Sequence, residues 1–228
     1  MRKLFIFYLF LFSLNVFSQE EPNFSAIDSL YREDQFYFGV TYNVLNIKPI
    51  GISQNSFSTG LNLGFLRDFP INKNRTFAVA PGLGFSYNNY KENLVVDNLD
   101  GNINYSIIPS GLSYDKNKLA LYFVDLPIEF RWRTSTFESH KFWRVYTGFK
   151  LSYLLLSQSR YADANQSFKI NNNSDINKIH YGTYVSVGYN SWNLYAYYGL
   201  RNMFKKGNLN GTPIELNTLN IGLMFYVL

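Results

Sequence analysis

Charged side chains share one face of a predicted strand at residues 118–133, and they are the first candidates for chemistry. Asp125 and Glu129 could form the acid/base pair of a glycoside hydrolase, whose two carboxyl groups lie roughly 5–9.5 Å apart. Residues four positions apart on one strand are separated by about 13 Å, however, because a strand rises about 3.3 Å per residue. This spacing argues against a catalytic carboxylate pair.

A serine nucleophile with a histidine base is the second candidate. His180 and Ser186 lie on the same predicted strand, about 20 Å apart, so they cannot pair. Ser152, on another predicted strand, could approach His180 in some registers, which leaves a lipid-modifying enzyme as one alternative. The other histidine, His140, lies in a predicted turn, and the sequence has no cysteine, no Gly-rich phosphate loop and no metal-ligand cluster. We therefore predict that the protein is not an enzyme and that it binds no cofactor or metal.

Residues 1–18 have the organisation of a secretory signal peptide. Two basic residues precede an apolar run over 4–14. This run is shorter than the roughly 20 apolar residues that a membrane-spanning helix needs, which disfavours a retained anchor. The chain is therefore predicted to be exported, with residues 19–34 as a polar periplasmic lead-in that contains a short helix at 24–32.

The rest of the chain is typical of a β-protein with a non-aqueous surface. Aromatic residues make up 19% of the sequence and charged residues only 16%, well under the roughly 25% of soluble domains. Eight segments with a two-residue period are predicted to be strands: 35–47, 56–68, 75–88, 118–133, 141–156, 178–190, 192–204 and 216–227. Pro81 interrupts the third segment, where we expect a bulge or a local break because proline cannot donate to the ladder.

The two faces of these segments differ consistently. In 77–87 the odd positions are bulky and apolar, whereas the even positions are Ala, Gly and Ser. The same division recurs in 219–227, 179–189 and 192–201. A soluble sandwich also alternates, but its second face would be solvated and rich in Lys and Glu. The pattern predicts an all-β fold, an eight-stranded antiparallel transmembrane β-barrel over 35–228, with both termini periplasmic and a narrow lumen.

The same alternation places charges inside the predicted barrel. Even positions of 118–133, from Ala120 to Trp132, are apolar and are predicted to face lipid, where a charge would cost roughly 2–4 kcal/mol near the midplane. The inward positions of this and two other strands carry a predicted structural charge network: Asp125, Glu129, Arg131, Arg133, Arg144, Lys150 and Arg201. Because eight strands leave an interior just wide enough for side chains, these residues are predicted to plug the lumen.

The predicted links between strands alternate in length, as in bacterial barrels with periplasmic turns and external loops. The short ones are 69–74, 134–140 and 190–191. The long links at 89–117 and 157–177 are rich in Asn, Asp, Ser and Tyr, and we expect solvated, mobile loops that could form a binding surface. Lys205 and Lys206 are predicted to lie near the lipid headgroups.

Three segments resemble the PorT family of outer-membrane β-barrel proteins from Bacteroidota: 124–133 (VDLPIEFRWR), 142–154 (FWRVYTGFKLSYL) and 192–204 (WNLYAYYGLRNMF). The similarity extends over the mature chain, and its specific part is LPIEFRWR together with FWRVYTGFK. The family-like positions are Asp125, Pro127, Glu129, Arg131, Arg133, Arg144 and Lys150. No catalytic residue carries over. The resemblance implies membership in the type IX secretion system, which exports folded cargo proteins across the outer membrane and supports gliding or protease secretion.

A barrel of this width cannot itself pass a folded protein. We therefore expect it to assist the assembly or operation of the export machinery, in contact with outer-membrane lipid and with translocon or periplasmic proteins of that system. After removal of Arg2 and Lys3, 19 basic residues (21 minus 2) face 16 acidic ones, and this weak excess argues against nucleic acid. The main alternative is a free-standing OmpX-like surface barrel whose external loops bind ligands or hosts.

Overall fold

The computed structural model describes most of the chain: residues 32–54, 56–99, 101–134 and 142–227. The predicted signal peptide at 1–18 and the predicted helix at 24–32, apart from residue 32, lie outside the described residues. So does the predicted turn at 134–140, apart from residue 134. No helix among the described residues is long and apolar enough to cross a membrane.

The described secondary structure consists of β-strands. They are β1 (Gln35–Ile47), β2 (Thr59–Leu66), β3 (Phe69–Pro70), β4 (Phe77–Tyr90), β5 (Leu94–Leu99), β6 (Asn102–Ile107), β7 (Lys116–Arg133), β8 (Trp143–Ala162), β9 (Ser167–Asn171), β10 (Ile179–Tyr189), β11 (Trp192–Gly199), β12 (Asn208–Leu209), β13 (Thr212–Pro213) and β14 (Asn217–Val227). Eight of them form a closed antiparallel ring in the order β1, β2, β4, β7, β8, β10, β11, β14. The predicted eight-stranded barrel is confirmed.

Each barrel strand pairs with the next one along the chain, and β14 returns to β1, where Phe36 lies opposite Val227. The start of β1 and the end of β14 therefore share one end of the barrel, which we call the terminal end. The turn at Asn190 and Ser191 lies at this end too, and Asn190 adopts a left-handed conformation (φ 55°). Asparagine tolerates this conformation in two-residue hairpins. We call the opposite end, with the longer links, the loop end.

The predicted faces agree with the observed burial. Outward side chains such as Phe85 (50% exposed) and Leu194 (70% exposed) have no protein cover, whereas the inward positions of the same strands are mostly buried. The prediction that Ala120 faces lipid is wrong, because this side chain is buried. The β7–β8 register shifts between Tyr122 and Phe123, and beyond that shift the outward side of β7 is uneven: Ala120 is buried, Lys118 is half-buried and Lys116 is exposed.

Proline breaks the ladder between β4 and β7, as expected. Pro81 pairs with Ile128, but the pairing then skips two residues and resumes at Gly84 and Asp125 with the register unchanged. The feature is therefore a local break and not a bulge, since neither strand contains an extra residue.

The long links are more structured than the sequence predicted. The link over 89–117 contains the ends of β4 and β7 and the β5–β6 hairpin, and the link over 157–177 contains the end of β8 and β9. The prediction of solvated loops is wrong for these parts. Short paired strands bury the backbone polar groups that an irregular loop would leave to water.

An apolar cluster closes the loop end of the lumen, and we call it the cap cluster: Leu45, Ile52, Tyr90, Leu94, Leu119, Leu121, Phe123, Leu154, Ile176, Met203, Phe204, Leu209, Ile214 and Leu216. Met203 and Phe204 are consecutive and both buried. In a barrel strand one of two consecutive side chains would face lipid, so this pair does not fit a strand. β11 ends at Gly199 and not at residue 204 as predicted.

Glu92 lies at the edge of the cap, 2% exposed, and its Oε2 has no hydrogen-bond partner among the described residues. Burial raises the pKa of Glu92 from 4.5 to about 8. The folded protein thus holds a proton at neutral pH that the unfolded chain releases. A raised carboxyl pKa contributes stability below the unfolded pKa, and this stability is lost as the pH rises from about 4.5 to about 8.

Glu92→Gln is expected to remove this part of the pH dependence, because glutamine does not titrate. At pH 7 the variant should be more stable than the wild type by up to about 3 kcal/mol. Urea unfolding of the folded barrel at several pH values measures the effect. Glu215→Gln, at an exposed glutamate, is the matched control and should keep the wild-type slope; the same slope in both variants would contradict the assignment.

Candidate functional site

The inward faces of β7 and β8 position most of the predicted charge network. Six of its residues are buried: Asp125, Glu129, Arg131, Arg133, Arg144 and Lys150. Arg201 lies apart from the main group, near the loop end, where it lines a small cavity with Lys150 and His180. The two-residue period of β7 brings four charges to one side of a single strand.

Asp68 is the centre of the ionic contacts at the terminal end. Its carboxylate accepts hydrogen bonds from Arg131 Nη1 at 3.0 Å and from Arg133 Nη1 and Nη2 at 2.9 and 2.8 Å. All three side chains are fully buried. Asp68 was not among the predicted site residues, although it continues the inward alternation of Asn62 and Leu66 two residues beyond the end of β2. Extending the period past the strand end would have found it.

Glu129 links this ion cluster to the tyrosines of the lumen. It accepts hydrogen bonds from Arg131 Nε at 2.9 Å and from the hydroxyl groups of Tyr184 and Tyr226 at 3.0 Å each. A buried carboxylate needs several such donors to offset its lost hydration. Tyr184 and Tyr226 belong to a group of six tyrosines that fill the barrel interior: Tyr37, Tyr146, Tyr184, Tyr195, Tyr197 and Tyr226.

A second ionic group lies nearer the loop end. Lys150 Nζ is 3.5 Å from Asp125 Oδ2 and 4.6 Å from the ring centroid of Tyr197. Ser152 donates its hydroxyl to Asp125 Oδ1 at 2.5 Å. Asp125 therefore has different partners from Glu129, and the two carboxylates do not form a pair.

Arg144 is held by aromatic rings and not by a carboxylate among the described residues. Its guanidinium carbon lies 4.4 Å from the ring centroid of Phe142 and 5.8 Å from those of Tyr146 and Tyr226. Its Nε and Nη1 have no hydrogen-bond partner in the described part of the chain. Cation–π contacts stabilise such a buried cation in part.

The lead-in residues next to β1 enter the network. Glu33 is 1% exposed, and its backbone carbonyl accepts a hydrogen bond from Arg131 Nη1 at 3.1 Å. The backbone amide of Asp68 donates to Asp34 Oδ1 at 2.8 Å. Four buried acids (Glu33, Asp68, Asp125 and Glu129) thus face four buried bases (Arg131, Arg133, Arg144 and Lys150) in the interior. The network balances in formal charge.

The serine and histidine of the enzyme alternative are direct neighbours, since Ser152 and His180 are cross-strand partners on β8 and β10. Their hydrogen bonds nevertheless go elsewhere. Ser152 donates to Asp125, and His180 Nε2 bonds the backbone carbonyl of Asn177 at 2.8 Å. The histidine is thus not the hydrogen-bond acceptor of the serine hydroxyl, which a nucleophile–base pair requires. No metal-binding group of three acidic or histidine side chains occurs among the described residues.

Two small cavities lie inside the barrel among the described residues. The cavity beside Lys150 and His180 measures about 30 Å³, and the one beside Glu129 and Tyr226 about 10 Å³. One water molecule needs roughly 10–15 Å³ of such space. Each of these two cavities therefore holds very few water molecules, and buried side chains fill the surrounding interior.

A comparison with protein families agrees with this architecture. The family model for the outer membrane protein beta-barrel domain matches residues 17–205. No curated protein sequence matches the chain. Among solved structures, the chain is similar to Ail, the attachment invasion locus protein of Yersinia pestis, with 10% sequence identity and a TM-score of 0.38 over 85% of this chain and 97% of that one.

Proposed function

Because this chain belongs to the outer membrane protein β-barrel domain family and is thus an outer-membrane protein, we propose that it is a closed accessory barrel of the type IX secretion system. In this proposal the barrel supports the assembly or operation of the export machinery and is not its pore. It acts through its outer wall, its loop end and its terminal end.

The sealed lumen is the observation that carries the proposal. Eight buried charged side chains, the tyrosine group and the cap cluster occupy the interior. The two interior cavities found among the described residues measure about 30 and 10 Å³, far too small for a folded cargo protein. A function in transport therefore requires contact with other proteins.

The link to this secretion system rests on the resemblance of β7, β8 and β11 to the PorT family. The resembling segments contain the partners Asp125 and Lys150 and the partners Glu129 and Arg131. If these positions serve to plug the barrel, they carry no transport chemistry of their own.

Deletion of the gene in its native bacterium tests the proposal. Export of the system's cargo proteins should fail, and the wild-type chain supplied in trans should restore it. Crosslinking in native membranes should recover the barrel with other secretion proteins. Normal cargo export in the deletion strain would overturn the proposal.

A variant of the interior charges tests whether the barrel acts as a scaffold or as a channel. Asp125→Asn combined with Lys150→Met removes one interior ion pair and nearly keeps the side-chain lengths, so we expect this variant to restore export as well as the wild type does. The purified wild-type barrel should also show no stepwise ion conductance in planar bilayers. Regular conductance steps from the wild type would contradict a closed lumen.

A free-standing surface barrel is the second candidate, and the structure of the loop end favours it. A cavity of about 450 Å³ lies between the β5–β6 and β8–β9 hairpins, next to Leu112, Tyr161 and Phe168. Such a groove suits a ligand that binds from outside. Isolation of the barrel from crosslinked membranes without secretion proteins would support this candidate over the first.

A further inference from the structure

Five basic side chains lie at the loop end of the barrel, and we call them the basic belt: Lys91, Lys116, Lys118, Arg160 and Lys169. Lys118 pairs with Arg160 across β7 and β8, and Arg160 pairs with Lys169 across β8 and β9. Lys91 is one residue beyond the last β4–β7 pair, beside Lys118. Lys91, Lys118, Arg160 and Lys169 therefore lie side by side on four neighbouring strands. Their backbones are about 4.8 Å apart from one strand to the next.

The belt points away from the barrel interior. Leu119 and Tyr161, which directly follow Lys118 and Arg160, are buried in apolar clusters on the inner side. Successive side chains of a strand point to opposite faces. Lys118 and Arg160 therefore point outward.

The belt lacks the ionic partners that its charges would require. Like charges directly opposite on neighbouring strands destabilise a sheet, and the charge of Lys118 is repelled by those of three other belt residues. None of the ion pairs in the described part of the chain involves the belt. Arg160 Nε is buried with no hydrogen-bond partner among the described residues. Two acidic side chains lie nearby without an ion pair to the belt: Asp115 lines a cavity with Lys116 and Lys118, and Asp97 lines another with Lys169.

The level of the belt matches that of lipid phosphates. On the outward face of β7, Trp132 and Tyr122 are ten residues apart, which at a tilt of about 40° corresponds to roughly 25 Å along the membrane normal, the height of the apolar band of a barrel. Tyr122 lies beside Tyr87, with ring centroids 5.0 Å apart, at the upper border of this band. Lys118 is four residues further, roughly 10 Å above the border.

We propose that the basic belt binds the phosphate-bearing headgroup of a lipid in the outer leaflet. A phosphate would offset the repulsion within the belt and accept a hydrogen bond from Arg160 Nε, with the planar guanidinium as a two-pronged donor. Lys91, Lys116 and Lys118 line a cavity of about 580 Å³ that can hold the headgroup. Lipid is the source that the geometry favours, because the aromatic border directly below the belt anchors it at the membrane surface.

Binding of a phosphorylated glycolipid by the full mature chain tests this proposal. The barrel is folded into phosphatidylcholine vesicles and titrated with diphosphoryl lipid A, with its dephosphorylated form, and with inorganic phosphate. The double variant Lys118→Gln/Arg160→Gln should bind diphosphoryl lipid A at least about tenfold more weakly than the wild type. Lys48→Gln/Lys178→Gln, which removes two exposed lysines of the loop end outside the belt, is the matched control and should bind like the wild type.

Each arm has an outcome that overturns the proposal. Equal affinity of the wild type and the belt variant, or a loss confined to the control variant, would move the site elsewhere. Equal binding of the dephosphorylated lipid would remove the role of the phosphate. Displacement of the lipid by inorganic phosphate would indicate a site for a free anion and not for a lipid. Heat-dependent migration on gels confirms that every variant is folded before its affinity is compared.

Discussion

Replacing Asp68 by asparagine is expected to lower the free energy of unfolding of the barrel by about 3–5 kcal/mol. The variant keeps the shape of the side chain but removes the charge that lies between two buried guanidinium groups. Arg131 and Arg133 contact Asp68 at 3.0 and 2.8 Å with no exposure to solvent. Removal of one partner of a buried ion cluster leaves an uncompensated charge, which costs far more than the net stability of the cluster itself.

A second variant tests whether the stability lost in Asp68→Asn comes from the guanidinium charge that is left without a carboxylate. Asp68→Leu combined with Arg133→Met removes both partners, while Arg131 keeps Glu129 at 2.9 Å. The double variant should unfold at a urea concentration closer to that of the wild type than Asp68→Asn does, because contacting residues have non-additive effects. Glu215→Gln at the exposed loop end should stay within about 0.5 kcal/mol of the wild type. A double variant less stable than Asp68→Asn would contradict the explanation.

Asp68 also connects the barrel to the chain that precedes it. Its amide donates to Asp34, and Glu33 contributes its backbone carbonyl to Arg131. The ionic cluster thus both plugs the terminal end and ties down the lead-in beside β1. In the proposed accessory role, this holds residues 33 and 34 at the terminal end, on the periplasmic side where short turns and termini lie.

The strands and their faces could be predicted from the sequence because burial and lipid exposure both follow a two-residue period. Phe77, Leu83 and Phe85 alternate with alanine and glycine. The solvated face of a soluble sheet would carry Lys and Glu in place of these small residues. The same period predicted which charges point inward on β7 and β8. These inferences depend on local geometry, which the sequence specifies directly.

Contacts between distant strands could not be predicted in the same way. The pairing of Ser152 with His180 depends on the stagger of the closed sheet, which the two-residue period does not determine. Asp68 lies 63 residues from Arg131, and the alternation that places it ends at a strand terminus. The cap cluster was missed because only part of it lies on predicted strands; Ile52, Leu94, Ile176, Leu209 and Ile214 lie in the links, where no period marks them.

The seam between the first and last strands has the largest sequence separation in the ring, with Phe36 opposite Val227. Closing such a long loop costs chain entropy, and this cost is offset only when the pairing of β1 with β14 is complete. Gly222 lies in this seam opposite Thr41. A β-carbon there would overlap the backbone carbonyl oxygen of Val40 and lie 2.7 Å from Thr41 Cα.

Gly222→Ala is therefore expected to force β14 away from β1 and to destabilise the barrel by about 3 kcal/mol, at the upper end of the usual cost of overpacking. Backbone atoms of a paired strand cannot move singly, so relaxation must open the seam. Gly39→Ala is the matched control in the same seam, because a β-carbon at Gly39 meets the flexible thioether end of Met224 at 2.8 Å. Urea unfolding should show a much smaller loss for Gly39→Ala, and amide hydrogen exchange should accelerate along β1 and β14 in Gly222→Ala alone. Equal losses in both variants would show that the close backbone approach at Gly222 does not limit closure of the barrel.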